Sequence, residues 1–157
     1  MAIEKVRDYF RAYGMEDKIL EFDGSSATVE LAAEALHTDG ARIAKTLSFY
    51  ADGGAILIVC AGDAKIDNAK YKATFSTKAK MLTHEDAEAL IGHAVGGVCP
   101  FAVNEGVKVY LDESLRRFDT VFPACGSSSS AIELTVPELE AHARPLAWVN
   151  VTKGWEA

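Results

Sequence analysis

The sequence predicts a domain of the α+β class built on a mixed sheet. One observation is a pair of strand-like runs joined by a glycine-rich turn, which is typical of an antiparallel hairpin. A second is that helical patterns separate the later strands without a regular strand–helix repeat. A third is size, since 157 residues, of which 49% are hydrophobic, suit a single core. We therefore expect one domain over residues 1–157 and not a doubly wound parallel sheet.

The first forty residues carry two helix patterns around one short strand. Apolar residues recur at helical spacing over residues 2–13. Residues 18–22 have the length of a strand, and the polar residues 23–26 that follow are typical of a turn. Thr28 is a suitable N-cap for a second helix over residues 28–36.

The next two segments predict a hairpin. Residues 42–50 alternate between two sets of side chains, as in a half-buried strand. The Asp-Gly-Gly sequence at 52–54 is a hairpin turn signal. Residues 55–60 are entirely apolar, so we expect a central strand that pairs with 42–50.

The remaining chain alternates between short helices and short strands. The predicted helices cover residues 67–75 and 83–91, and Thr83 is expected to cap the second of these. A helical turn is predicted at 113–117, and Thr135 is expected to cap a last short helix. The predicted strands cover residues 107–111, 120–124, 131–134 and 147–151.

The charge balance restricts the expected partners. The formal net charge is −7, which argues against broad binding to nucleic-acid backbones, because such binding needs a basic surface. It leaves room for a protein that docks one short nucleic-acid end in a pocket. Residues 65–80 hold five lysines against one aspartate, and such a run is usually a solvated face.

Cysteine content and hydropathy indicate a reducing, aqueous compartment. The three cysteines, Cys60, Cys99 and Cys125, are widely spaced without C-x-x-C, so we expect neither a disulfide framework nor a structural zinc site. No apolar run approaches the roughly 20 residues of a membrane helix. The first residues lack the apolar block of a secretory signal. We expect a cytoplasmic protein that does not contact a membrane.

Residues 92–104 form a loop in which three glycines and Pro100 fall within nine positions. Glycine allows close approach of a ligand to the backbone, and proline restricts its own φ and the residue before it. Such a loop can direct successive N–H groups at one carbonyl oxygen or carboxylate. A tight connection between a helix and a strand is the other interpretation.

Lys45 is unusual because it shares a strand face with Ile43, Leu47 and Phe49. A lysine is seldom buried without a partner, since desolvating an ammonium is costly. In one interpretation its long side chain reaches solvent from near the strand end. In the other it lines a cleft and offers a cation to an anionic ligand.

Other reactive arrangements have weaker support. Cys99 lies six residues after His93, so a thiol hydrolase is one alternative, but spacing alone shows no contact between the two. The four histidines are scattered without metal-binding spacing. The serines at 127–130 lack the G-x-S-x-G elbow of a serine nucleophile. Neither a dinucleotide-binding motif nor a P-loop occurs.

Four short motifs occur in order along the chain. They are Arg-Ile-Ala-Lys-Thr-Leu at 42–47, Ala-Gly-Asp at 61–63, Val-Gly-Gly-Val-Cys-Pro-Phe at 95–101, and Ala-Cys-Gly at 124–126 before Ile-Glu-Leu at 132–134. Together they resemble the YbaK/aminoacyl-tRNA-editing family, which includes the editing insertion of bacterial prolyl-tRNA synthetases. The resemblance spans roughly residues 25–143.

This resemblance implies a compact α+β domain whose mixed, mainly antiparallel, barrel-like sheet is flanked by helices. It implies hydrolysis of the ester that links a wrong amino acid to the 3′ end of a tRNA, often tRNA(Pro), without a metal, a cofactor or a protein nucleophile. The family's essential lysine matches Lys45, and its G-x-x-x-P loop matches residues 96–100. The position before the proline is frequently Ser or Thr in the family and is Cys99 here, which bears on specificity if that side chain touches the substrate.

The resemblance and the residues together suggest a division of roles. Lys45 would hold the terminal phosphate or ribose, while loop N–H groups stabilise the oxyanion formed when a positioned water attacks. A small pocket would select the amino acid by size. The expected catalytic residues are Lys45, Gly96, Gly97, Val98, Cys99 and Pro100. The expected substrate-binding residues are Thr28, Leu31, Thr46, Ser128 and Ser129.

We therefore expect a trans-acting aminoacyl-tRNA deacylase, a hydrolase of a carboxylic ester, that removes a small wrong amino acid from tRNA(Pro). The expected partners are the tRNA 3′ acceptor end and prolyl-tRNA synthetase. The alternative is a non-catalytic module that uses the same pocket to bind a free small aminoacyl or carboxylate ligand.

Overall fold

Ten strands and five α-helices occur in the computed structural model, which describes residues 2–22, 29–51, 54–93 and 98–155. The strands are β1 (Ile19–Glu21), β2 (Ile43–Ala51), β3 (Gly54–Ala61), β4 (Lys65–Ile66), β5 (Lys108–Asp112), β6 (Thr120–Pro123), β7 (Ser130–Ile132), β8 (Leu134–Thr135), β9 (Ala147–Val149) and β10 (Thr152–Lys153). The α-helices are α1 (Ala2–Arg11), α2 (Val29–Leu36), α3 (Asn68–Phe75), α4 (His84–Asp86) and α5 (Val136–Ala143). A π-helical turn, Ala87–Ile91, continues α4, and 3₁₀ helices cover Glu16–Lys18, Gly40–Arg42 and Glu113–Arg117.

The central sheet has six strands in the order β8–β6–β2–β3–β5–β9. Strands β2 and β3 form the predicted hairpin, with Lys45 opposite Cys60. Parallel pairings join β6 to β2, β3 to β5 and β5 to β9. With the small sheets β1–β7 and β4–β10 included, four of the seven pairings in the described chain are antiparallel. The predicted α+β class with a mixed sheet is confirmed, and the sheet is curled into a half-barrel.

The apolar side chains form three clusters around this sheet. The largest unites the sheet with α1, α5 and the π-helical turn, and its members include Phe10, Leu57, Ile91, Leu111 and Leu139. The second lies under α3 around Phe49, Ile58 and Tyr71. The third is small and lies under α2, where Ala32 packs with Ile43 and Phe122. Because side chains alternate along β2, Lys45 shares a face with Ile43 and Phe49 and lies between the second and third clusters.

Local capping explains where several helices begin. The Thr83 hydroxyl accepts a hydrogen bond from the Asp86 N–H, as predicted for the start of α4. Thr135 caps α5 in a reciprocal capping box with Glu138. Asp67 caps α3 by accepting from the N–H groups of Ala69 and Lys70. These caps satisfy N–H groups that have no partner inside the helix.

The predicted strand over 131–134 is wrong in one respect, because the chain forms two strands there. Strand β7 pairs with β1, whereas β8 pairs with β6, so the chain changes sheets at Glu133. The short strands β4 and β10 were not predicted, because two residues carry no detectable alternation.

The predicted turn at 23–26 and N-cap at Thr28 lie outside the described residues. Within the described chain, no helix has the length and apolarity needed to cross a bilayer.

A buried carboxylate joins three parts of this fold. Asp112 is fully buried and accepts hydrogen bonds from the N–H groups of Ser114 and Val151 and from the Thr152 hydroxyl. These bonds connect the end of β5 to the Glu113–Arg117 helix and to the segment around β10. A charge this deeply buried is tolerated because its oxygens are satisfied by hydrogen bonds.

We expect Asp112→Ala to lower the free energy of unfolding by about 3 kcal/mol, because three buried donors lose their acceptor. Urea denaturation followed by circular dichroism measures this change. The control is Asp119→Ala, at an exposed position, for which a change within about 0.5 kcal/mol is expected. Equal stabilities for the two variants would contradict the role assigned to Asp112.

Candidate functional site

A cavity of about 450 Å³ lies beside β2, next to a part of its edge that has no strand partner among the described residues. Strand β6 pairs with β2 only at Ile43 and Ala44. Further along the same edge, the Leu82 N–H donates to the Ser48 carbonyl at 3.1 Å and the Tyr50 N–H donates to a carbonyl at residue 80. Residues 45–47 therefore form an open edge, the term used below for this stretch, which on this side pairs with no strand in the described ranges. The cavity occupies the space that a continuous neighbouring strand would fill.

The described walls of the cavity are mainly apolar. One wall comes from α2, through Val29, Ala32 and Leu36, and another from Phe122, Ala124 and Ala131. The polar side chains on the walls are Lys45, Thr46, Ser48, His84 and Ser130. An apolar pocket with a few convergent polar groups is the usual form of a small-ligand site.

The Lys45 ammonium is held by main-chain oxygens at one side of this cavity. Its Nζ donates to the Ala64 carbonyl and lies 3.5 Å from the Gly62 carbonyl. Both acceptors belong to the turn that follows β3, and the lysine side chain is half-buried. Among the described residues, the hydrogen bonds of the ammonium go to neutral oxygens, which an anionic ligand could replace as the stronger partner.

Thr46 presents three hydrogen-bonding groups at the open edge. Its Oγ1 is buried and has no hydrogen-bond partner in the described part of the chain. Main-chain groups of alternate residues point to the same side of a strand. Since the Ser48 carbonyl and the Tyr50 N–H point outward, the N–H and C=O of Thr46 point into the gap. A buried hydroxyl without a partner is uncommon and suggests a ligand contact.

The glycine-rich loop contributes Val98 to the cavity wall. Cys99 and Pro100 follow it and are buried, with Cys99 in the largest apolar cluster. Gly96 and Gly97 lie outside the described residues, so the predicted role of their N–H groups stays a prediction. The structure thus brings Val98 to the same cavity as Lys45 and Thr46.

The Cys99 thiol does not have the environment of a nucleophile. Burial raises the pKa of Cys99 to about 12. Its Sγ lies 3.6 Å from His93 Nε2, but that nitrogen also contacts the Phe101 carbonyl at 2.8 Å. A carbonyl only accepts, so Nε2 carries the proton and is not free to remove one from the thiol. Burial also lowers the pKa of His93, which keeps the ring neutral. The thiol-hydrolase alternative therefore lacks support from the geometry.

Of the remaining predicted binding residues, those that the structure describes do not line the cavity. Leu31 is exposed, because Val29, Ala32 and Leu36 occupy the helix stripe that faces the cavity and Leu31 is out of phase with it. Ser130, and neither Ser128 nor Ser129, lines the cavity. Thr28 lies outside the described residues.

Several lining residues escaped prediction, and three of them come from one segment. Met81, Leu82 and His84 reach the cavity because residues 80–82 run along the edge of β2, with Met81 bridged to Phe49. This pairing joins segments more than thirty residues apart, and no local pattern signals it. In the described chain, no three His, Cys, Asp or Glu side chains are grouped as a metal site.

Comparison with known proteins identifies the family. The family model of the aminoacyl-tRNA editing domain matches residues 23–141. This chain belongs to the aminoacyl-tRNA editing domain family. The match contains β2 with Lys45, the turn after β3 and the glycine-rich loop, so the described cavity lies within the editing domain.

Individual relatives agree with this assignment. The uncharacterized protein YwhH of Bacillus subtilis (strain 168) is 51% identical over 157 residues, which are 99% of this chain and 100% of that protein. The proline–tRNA ligase of Leuconostoc citreum (strain KM20) is 30% identical over 102 residues, which are 64% of this chain but only 18% of the ligase. A crystal structure of a candidate trans-editing enzyme for prolyl tRNA synthetase has a TM-score of 0.86 and 27% identity, and each chain is 98% covered.

We expect the native editing domain to be unreactive toward a thiol reagent such as DTNB at pH 8. All three cysteines are buried, and burial raises the pKa of Cys60 and Cys99 to about 12 and that of Cys125 above its usual value. Absorbance at the thionitrobenzoate band measures the reaction, and unfolding in guanidinium is the control that should release all three thiols. A rapid native reaction that maps to Cys99 would restore the nucleophile hypothesis.

Proposed function

We propose that this protein is a trans-acting aminoacyl-tRNA deacylase of the cytoplasm that hydrolyses the ester of mischarged tRNA, with tRNA(Pro) carrying a small wrong amino acid as its substrate. Membership of the editing family supports the reaction class. The observation that carries the proposal is the half-buried Lys45 ammonium on the wall of an otherwise mainly apolar cavity at the open edge of β2. That arrangement suits a ligand with an anionic end and a compact end that bears a small side chain.

The 3′ end of a charged tRNA has these properties. It carries a phosphate, ribose hydroxyls, an ester carbonyl and an amino-acid side chain. Lys45 binds the terminal phosphate or the adjoining ribose as a point charge, exchanging neutral carbonyl partners for a charged one. The Thr46 hydroxyl and main chain at the open edge bind the polar atoms of the aminoacyl group.

Hydrolysis needs little beyond positioning in this scheme. A water attacks the ester carbonyl carbon, and the developing oxyanion is stabilised by N–H groups of the loop that ends at Pro100. The ester C–O bond then breaks, the ribose oxygen takes the proton that the water loses, and the free amino acid and tRNA leave. Aminoacyl esters are already reactive, so fixed geometry and an oxyanion site supply the required acceleration. Lys45 acts by binding, because its ammonium has no proton-accepting lone pair.

The apolar end of the cavity supports selection by size. Ala32, Ile43 and Phe122 form a small cluster under α2 at this end. A tightly packed wall of this kind admits a short side chain and excludes a larger one, which acts as a second sieve after a synthetase has made an error. The net charge of −7 indicates modest intrinsic affinity for RNA, so we include prolyl-tRNA synthetase as a partner that delivers the substrate.

We expect the purified protein to release amino acid from tRNA(Pro) charged with at least one of Ala, Cys, Ser and Thr. Lys45→Ala is expected to lower kcat/KM by about 100-fold or more, because the substrate loses its cationic anchor. Loss of radiolabelled aminoacyl-tRNA measures the rate, with and without prolyl-tRNA synthetase. The matched control is Lys108→Ala, at an exposed position on β5 away from the cavity walls.

The outcomes of this experiment separate the two candidate functions. Full activity in Lys45→Ala with an intact circular dichroism spectrum would contradict the assigned role of Lys45. Ligand-induced thermal stabilisation of the wild type without any deacylation would instead identify the binding module.

We expect Thr46→Val to separate stability from function. Valine keeps the shape of threonine and removes a buried hydroxyl without a partner, so the free energy of unfolding should rise by about 1 kcal/mol. Deacylation should fall about tenfold in kcat/KM, because the substrate loses a hydrogen bond. Thr152→Val provides the contrast, since its hydroxyl is hydrogen-bonded to Asp112 and Trp155 and its loss should destabilise the fold. A Thr46→Val variant with wild-type kcat/KM on every substrate would show that the hydroxyl does not contact the ligand.

A further inference from the structure

The turn that holds Lys45 is itself held by a second layer of contacts. We call residues 61–64 the Lys45 turn, because the Gly62 and Ala64 carbonyls accept from the Lys45 ammonium. A four-residue turn has few contacts of its own, so its carbonyls stay in place only if neighbouring elements hold it. The position of the cation therefore depends on what packs behind the turn.

The Glu113–Arg117 helix holds the Lys45 turn at two points. At one end, the Ala61 N–H donates to the Ser114 hydroxyl at 3.0 Å. At the other, the two terminal nitrogens of Arg117 donate to the two carboxylate oxygens of Asp63 at 2.5 and 3.0 Å. Arg117 Nε donates in turn to the Ser114 carbonyl at 2.9 Å. The bidentate pair fixes both distance and orientation.

The segment around β10 holds Arg117 from the far side. The guanidinium carbon of Arg117 lies 4.9 Å from the centre of the Trp155 ring, a cation–π contact. Trp155 Nε1 donates to the Thr152 hydroxyl at 2.8 Å, and that hydroxyl donates to the buried Asp112 at 2.6 Å. A continuous chain of contacts thus runs from Asp112 through Thr152, Trp155, Arg117 and Asp63 to the Lys45 turn.

We propose that residues 151–155 are a positioning element for the Lys45 ammonium, acting through Arg117 and Asp63. This inference rests on the proposed function of Lys45 as the substrate anchor. The family match ends at residue 141, so Thr152 and Trp155 lie beyond the part of the chain that the family model describes. Neither residue contacts the described cavity, which makes them positioning residues and not catalytic ones.

The competing interpretation is that Arg117 binds RNA phosphate directly. Its three guanidinium nitrogens already donate to Asp63 and to the Ser114 carbonyl. The Arg117 guanidinium also holds the pKa of Asp63 below its usual value, which is expected for a carboxylate whose charge is paired. A guanidinium that is paired with a carboxylate and donates three of its five N–H groups within the protein is a poorer phosphate ligand than an unpaired arginine.

The test uses two conservative variants, each with a matched control in the neighbouring Arg–Trp pair. Arg117→Lys removes the bidentate contact and keeps the charge, and Trp155→Phe removes the indole N–H and keeps an aromatic ring. The controls are Arg116→Lys and Trp148→Phe, because Arg116 stacks on Trp148 at 4.0 Å and pairs with Glu113 without touching the Lys45 turn.

Two readouts are measured on the full chain. The first is the rate at which Lys45 is reductively methylated, determined by peptide mass spectrometry relative to the other lysines. We expect Arg117→Lys and Trp155→Phe to raise this rate severalfold, since the ammonium loses its fixed acceptors. The second is deacylation, for which we expect kcat/KM to fall about tenfold in both variants and to stay unchanged in both controls.

Combination with Lys45→Ala distinguishes positioning from general destabilisation. If Arg117 acts through Lys45, Arg117→Lys should cause no further loss of activity in the Lys45→Ala background, whereas an independent effect would be additive. Unchanged Lys45 methylation in both Arg117→Lys and Trp155→Phe overturns the inference, whatever the activity. Absence of deacylation by the wild type overturns the proposed function alone, because methylation still reports whether residues 151–155 fix the ammonium.

Discussion

A half-buried ammonium must be paired, and the pairing of Lys45 with main-chain carbonyls is the interaction on which the site depends. The lysine lies on a strand face between two apolar clusters, where water alone would not stabilise its charge. The carbonyls of Gly62 and Ala64 supply acceptors without adding a negative charge. A carboxylate in their place would neutralise the cation and weaken its attraction for an anionic substrate. Because these acceptors are neutral, they stabilise the Lys45 charge by hydrogen bonding and leave it able to attract an anionic ligand.

The cavity itself follows from an interruption in strand pairing. Strand β2 is paired with β3 from Ala44 to Ala51. On its other edge, β6 covers the first residues and residues 80–82 cover the last ones, so the open edge lies between two anchored ends. An unpaired edge is normally a liability that invites aggregation. Here α2 and Val98 line the cavity beside the open edge, and in the proposed function the Thr46 backbone groups are available to the substrate.

Much of this architecture was accessible from sequence because its signals are local. The alternation over 42–50, the pairing of β2 with β3 and the caps at Thr83 and Thr135 each depend on a few neighbouring residues, while residues 52 and 53 of the predicted turn lie outside the described residues. The same alternation identified Lys45 as a cation on an apolar strand face. The loop around Val98 was identified by its glycines and proline, although Gly96 and Gly97 lie outside the described residues.

The features that escaped prediction depend on which segments meet in space. The phase of α2, which turns Val29 and Ala32 inward and Leu31 outward, is set by the neighbours of the helix and not by its apolar content. The open edge at Thr46 depends on strand order.

The chain of contacts from Asp112 to Asp63 has the same origin, because it joins a strand end, a 3₁₀ helix and residues beyond 150 that carry no common motif. Holding the Lys45 ammonium at a fixed point requires contacts from parts of the fold that do not touch the ligand. The elements to which we assign this positioning role are therefore those that sequence motifs describe least well.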